Sequence, residues 1–137
     1  MGLVVDASVV LAWLLPDERS DAAQGIVEAL AHEPAQAPGL LGLEVANALT
    51  QAGCRARIPV ALQRELLDAY LALPIALDPT DGHAVARCAE LARRHALSAY
   101  DAAYLELAAR RRFALATFDT ALARAARKEG IALVAGA

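Results

Sequence analysis

Met1-Gly2-Leu3-Val4-Val5-Asp6-Ala7-Ser8 is the stretch on which the reading of this chain turns. Three apolar residues, two of them β-branched, run straight into a carboxylate followed by small residues. Leu3–Val5 suits a short buried strand. Asp6 then stands where that strand stops and a helix begins. In an open α/β sheet that edge is where ligands bind. Asp is also a favoured helix N-cap, so these eight residues alone leave capping and chemistry both open.

The pattern of this first stretch recurs along the chain. Short apolar runs at Ala35–Ala37, Pro74–Leu77, Phe113–Ala116 and Ile131–Val134 predict further strands. Between them the apolar spacing predicts helices over 7–15, from Ser20 or Asp21 to His32, and over 39–54. Further helices are expected at Pro59–Leu71, Asp81–His95, Ser98–Arg112 and Asp119–Glu129, the last stopped by Gly130. Pro59 is placed for the first turn of its helix. Trp13 is expected in the core. Val85, Cys88, Leu91 and Ala92 form the expected inner side of the helix from Asp81. Short strands without polar alternation, separated by helices, predict an α/β fold with a parallel sheet covered on both faces. No repeat, low-complexity tract or long linker divides the 137 residues, so a single domain over 1–137 is expected.

Composition narrows the functional classes. The net charge of −3 argues against a global positive field, although Arg93-Arg94, Arg110-Arg111-Arg112 and Arg124 with Arg127 and Lys128 are local basic clusters. Cys54 and Cys88 lack the paired spacing of a zinc or redox site. The N-terminus has no basic leader, and no uncharged apolar run reaches the roughly 18 residues of a membrane span. A soluble, cytoplasmic protein with no membrane partner is the expectation. There is no Gly-rich phosphate loop, dinucleotide turn or G-x-S-x-G elbow. His32, His83 and His95 have no ligand spacing, and His95, after Arg93-Arg94, is a candidate phosphate contact.

Four acids remain. Asp6 follows the first strand, and Asp119 follows Phe113–Ala116 with Thr117 between. Parallel strands in one sheet would bring both to one edge. Asp101 lies in Ser98-Ala99-Tyr100-Asp101, whose spacing also reads as a capping box. Glu44 sits in an apolar helix and shares a face with Asn47 and Gln51, which also reads as a solvated stripe. Carboxylates brought together repel and raise one another's pKa, so keeping them ionised calls for a hard cation. Oxygen-only donors point to Mg²⁺ or Mn²⁺ rather than zinc. Ser8 and Thr117 stand beside two of the acids as candidate supporting hydroxyls, or as helix caps.

Val4-Val5-Asp6-Ala7-Ser8, Leu43-Glu44-Val45-Ala46-Asn47-Ala48-Leu49, Ser98-Ala99-Tyr100-Asp101-Ala102-Ala103-Tyr104-Leu105-Glu106-Leu107-Ala108 and Ala116-Thr117-Phe118-Asp119 together resemble the PIN domain. More narrowly they resemble the VapC toxins of toxin–antitoxin pairs. The resemblance covers essentially the whole chain. It implies a three-layer α/β/α fold with about five parallel strands and a Mg²⁺- or Mn²⁺-dependent endoribonuclease. It implies that Asp6 and Asp101 are the principal metal ligands, that Glu44 and Asp119 complete the pocket, and that Ser8 and Thr117 support it. It further implies a homodimer and a cognate antitoxin, with operator DNA bound only through the antitoxin complex. Two alternatives stand beside it. One is a non-catalytic binding module of the same fold. The other is a phosphatase of the haloacid-dehalogenase kind, which needs a second acid where Ser8 stands and a lysine at the sheet edge.

Overall fold

The computed structural model describes residues 2–134. The chain runs β1 (Leu3–Val5), α1 (Ala7–Leu14), α2 (Asp21–Ala29), β2 (Ala35–Pro38), α3 (Leu41–Cys54), α4 (Val60–Leu71), β3 (Ile75–Asp78), α5 (Gly82–His95), α6 (Ala99–Arg111), β4 (Ala114–Ala116) and α7 (Thr120–Lys128). The strands form one parallel sheet in the order β3-β2-β1-β4. The first three strands step outward from β1 on one side, and β4 returns to its other side. The direction of winding therefore reverses at β1, which puts a crevice between the carboxyl ends of β1 and β4.

Successive side chains of a strand point to opposite faces. Val4 and Val5 are both fully buried, as are Leu115 and Ala116, so the central strands are covered on both sides. Helix α6 packs on β1, β2 and β4, with α5 and α7 against it. Helices α1 to α4 pack on one another through α1. The result is the expected three-layer α/β/α arrangement. The inner surface of α6 explains its unusual sequence, since every residue from Ala102 to Ala108 is buried. Small Ala side chains let α6 approach the sheet closely, while Leu105, Leu107 and Tyr104 fill the space between layers.

Three expectations shift. The segment 131–134 joins the sheet beside β4 by a single parallel bridge, Leu115 to Leu133, rather than as a full fifth strand. Among the described residues its ladder is Leu115 N–H on the Ala132 carbonyl at 2.9 Å and Val134 N–H on the Leu115 carbonyl at 3.0 Å. Pro59 is the N-cap of α4, one residue outside its first turn, with extended backbone. On α5 the inner face is Ala84, Cys88 and Leu91, while Val85 is exposed. Cys88 and Leu91 face inward as expected, and the small Ala84 stands there in place of Val85. Trp13 is half-buried and packs against the core. Gly130 adopts φ +73° just past α7, the left-handed conformation that glycine reaches without strain. Among the described residues no helix is long and apolar enough to cross a membrane.

Candidate active site

The register pairs Val5 with Ala116, so Asp6 and Thr117 emerge side by side at the crevice. Asp6 N–H continues the ladder onto the Ala116 carbonyl at 3.2 Å. The Asp6 side chain is 4 % exposed, in contact with the core yet fully bonded. Its Oδ1 accepts from Ser8 Oγ at 2.6 Å and from Val9 N–H at 3.2 Å. Its Oδ2 accepts from Thr117 Oγ1 at 2.5 Å. Both hydroxyls also accept from the loop after β4: Ser8 Oγ from Phe118 N–H at 2.8 Å, and Thr117 Oγ1 from Asp119 N–H at 3.0 Å. Ser8 and Thr117 thus stitch the two loops of the crevice together through Asp6. Asp6 is indeed the N-cap of α1. Capping fixes its backbone and one oxygen, and the carboxylate lies at the crevice.

The other three acids arrive on helix starts. Glu44 lies in the first turn of α3, which follows β2, the neighbour of β1. Asn47 and Gln51 are exposed, but Glu44 is half-buried and its Oε1 accepts from Tyr104 Oη at 2.5 Å. The solvated stripe therefore begins after Glu44. Ser98 caps α6 by accepting from Asp101 N–H at 3.1 Å, which leaves the half-buried Asp101 in the first turn. Asp119 caps α7, its Oδ1 accepting from Leu122 N–H at 2.8 Å. Acids at helix N-termini are favoured by the helix dipole, so each position is tolerated locally.

Together they form a closed ring of like charge. Burial pushes the Asp6 carboxyl up; its bonds from Ser8, Thr117 and Val9 oppose this, and Asp119 adds to it. Burial also raises Glu44, with Tyr104 opposing and Asp101 and Asp6 adding. Asp101 is raised by burial and then by Asp119, against the Ser98 hydroxyl. Repulsion thus links Asp6 to Asp119, Asp119 to Asp101, Asp101 to Glu44 and Glu44 to Asp6. Among the described residues no ion pair involves any of the four. As the side chains stand, no three His, Cys, Asp or Glu groups among the described residues are close enough to hold one ion. The carboxylates are turned instead onto hydroxyls and backbone N–H groups. The donor set is nevertheless entirely oxygen, uncompensated and mutually repelling, which is the chemistry that suits a hard divalent cation.

The raised carboxyls set a pH dependence. A carboxyl whose folded pKa lies above its unfolded value penalises the fold at neutral pH, and that penalty fades as pH falls through the folded value towards the unfolded one. Asp101→Asn in chelator-treated buffer is therefore expected to raise the melting temperature at pH 7–8. The gain should shrink as pH falls towards about 4, where the unfolded carboxylate also protonates. Melting curves of both proteins across that range check this.

Three residues of the basic clusters, Arg94, Arg110 and Arg111, are engaged with acids of the fold. His95 Nε2 lies 2.6 Å from Glu129 Oε2, and Arg94 Nη1 bonds the same oxygen at 2.8 Å. This pairing pulls the Glu129 carboxyl down and takes His95 out of the role of a phosphate contact. Arg110 and Arg111 bond the buried Asp78. Tyr104, and the buried acids Asp78 and Glu106, were not singled out by the sequence pattern. Tyr104 lies three residues after Asp101 in an otherwise Ala- and Leu-rich helix, which is the one local sign of its position. A cleft of about 610 Å³ bordered by Ser8, Glu18, Ser20, Phe118 and Asp119 reaches one of the four acids, Asp119.

Comparison with known proteins follows from this geometry. Residues 3–128 match the PIN domain family. The fold is similar to PAE2754 from Pyrobaculum aerophilum, with TM-score 0.75 and 22% identity over 98% of this chain and 84% of that chain. It is also similar to VapBC2 from Rickettsia felis bound to a DNA fragment from their promoter, with TM-score 0.70 and 13% identity over 98% of both chains. FitAcB from Neisseria gonorrhoeae gives TM-score 0.67 and 17% identity over 96% of this chain and 95% of that chain. No curated protein matches the sequence. The family match spans nearly the whole chain, from β1 through α7, and this chain belongs to the PIN domain family.

Proposed function

We propose that this PIN domain is a Mg²⁺- or Mn²⁺-dependent endoribonuclease that serves as the toxin of a toxin–antitoxin pair. What supports the reading is the mutual charge coupling of Asp6, Glu44, Asp101 and Asp119, none of them ion-paired among the described residues, with Asp6 and Asp119 following β1 and β4. Asp6 and Asp101 would be the principal ligands of the cation, with Glu44 and Asp119 completing the pocket. When bound, a divalent cation offsets this negative charge, activates water and stabilises the leaving oxygen of a phosphodiester. The protein's part is orientation. Ser8 and Thr117 fix the Asp6 carboxylate from both sides, so its direction is set by the sheet rather than by a mobile loop. The cleft beside Phe118 and Asp119 is the opening next to this site. Single-stranded RNA, with bases free to be splayed, is the substrate class that suits it.

A phosphatase of the haloacid-dehalogenase kind is disfavoured by the same contacts. The position two residues after Asp6 is Ser8, which is engaged with Asp6, and Lys128 is exposed at the end of α7. The likeness to VapBC2 and FitAcB supports a cognate antitoxin and, through its complex, operator DNA. A homodimer is part of the same proposal.

The test is cleavage of a labelled single-stranded RNA by the purified protein with Mg²⁺, with Mn²⁺ and with chelator. Cleavage with either metal and none with chelator is expected. Binding without cleavage would favour the non-catalytic module. In parallel, Mn²⁺ at 100 times its dissociation constant should stabilise the fold by about 2.7 kcal/mol, because it binds only the folded ring. A metal-independent melting temperature would contradict the reading.

A further inference from the structure

Tyr104 is buried to 1 % exposure in the middle layer of α6, yet its hydroxyl is directed at the acid ring. It stands one helical turn after Asp101, at the i+3 position that shares a helix face. Its Oη donates to Glu44 Oε1 across a separation of 60 residues, tying α6 to α3. The ring alone accounts for the packing, and a phenylalanine would fill the same volume. The hydroxyl costs free energy to bury unless it is bonded, and Glu44 provides that bond.

Glu44 has reason to turn away. Asp6 and Asp101 both repel it, and it is partly open to water. A glutamate side chain also loses about 1.5–2 kcal/mol of rotamer freedom when held. The Tyr104 hydroxyl supplies the opposing pull. It has one proton to give and gives it to Oε1. Among the described residues Oε2 has no hydrogen bond.

We propose that Tyr104 is a positioning residue, holding Glu44 by Oε1 so that Oε2 is left for the cation. This rests on the metal-dependent reading given above. Groups that bond a metal-ligating carboxylate typically change metal affinity by about 10–100-fold when removed.

The experiment is calorimetric titration of Mn²⁺ alone into wild type, Tyr104→Phe, Glu44→Gln and the double variant. Tyr104→Phe is expected to weaken Mn²⁺ binding about 10-fold, the low end of that range, with unchanged circular dichroism. In the Glu44→Gln background the same change should have no further effect. Equal affinities of wild type and Tyr104→Phe would overturn the positioning role and leave the metal reading standing. The same loss in both backgrounds would assign the effect to packing and overturn it too. No Mn²⁺ binding by folded wild type would overturn both. If Tyr104→Phe does not fold, a crystal of the wild type soaked in Mn²⁺ makes the test. Glu44 Oε2 on the ion with Oε1 still bonded to Tyr104 Oη is then expected, and Glu44 bound to the ion but rotated off Tyr104 would overturn the proposal.

Discussion

Asp6→Asn is expected to reduce metal-dependent RNA cleavage by at least ~10³-fold while leaving the chain folded. The size follows from the position of Asp6. It is the most buried of the four acids, at the switch point of the sheet, and both oxygens are oriented by neighbours. Asparagine keeps one carbonyl oxygen for Val9 N–H and Ser8, and its amide can donate to Thr117. The cap of α1 and the link between the two crevice loops therefore survive. Removing a buried charge that is repelled by Asp119 also relieves the fold. Stability in chelator should thus fall by no more than about 1 kcal/mol, and a rise is the expected direction. Cleavage assays and urea unfolding on the same preparation check both parts. Loss of activity together with unfolding would assign Asp6 to capping alone.

Glu106→Ala is expected to do the reverse, damaging the fold and sparing the chemistry. Glu106 is 2 % exposed and shares Arg87 and Arg110. Arg110 in turn reaches Asp78 Oδ2 at 2.7 Å, and Arg111 reaches Asp78 Oδ1 at 3.2 Å. The network joins α5, α6 and the edge strand β3. Removing one partner of a buried ion pair costs about 3–5 kcal/mol when the other charge is stranded. Here the arginines reach solvent, so about 2–4 kcal/mol is expected. That is a large share of the roughly 5–15 kcal/mol that stabilises a typical domain. Replacing both Glu106 and Arg87 with apolar residues should recover part of the loss. Asp78 adds an acid limit. Arg110 and then Arg111 hold its carboxyl below the usual range. Its contribution is present above the unfolded pKa and is lost as pH falls through the lower folded value. The acid ring and this network therefore respond to acid in opposite directions.

These two residues also mark how far the sequence can be read. The alternation of Leu3–Val5 and Phe113–Ala116 with helices predicts the parallel sheet, because a strand buried on both faces must be apolar at consecutive positions. Asp6 and Asp119 are then legible as neighbours from connectivity alone. Glu44 and Asp101 are different. Their partners come from other elements, and local spacing serves a capping box or a solvated stripe equally well; the family resemblance supplied what spacing left open. The Asp78–Arg110 pair is separated by 32 residues, and Glu106–Arg87 by 19, with no spacing rule to link them. Sequence patterns register which face of a helix is apolar, but not which arginine reaches which buried acid. The same limit hid Tyr104, whose ring reads as ordinary core and whose hydroxyl acquires meaning only when α3 is beside it. The segment 131–134 shows the converse, where β-forming residues suffice for a bridge but lack a second neighbour to extend it.

The most direct test of the central claim is a crystal of the protein soaked in Mn²⁺ and measured for anomalous scattering. The account predicts a peak bounded by Asp6, Glu44, Asp101 and Asp119, lost in Asp6→Asn crystals. A peak elsewhere, or none in a well-ordered folded chain at millimolar Mn²⁺, would contradict it.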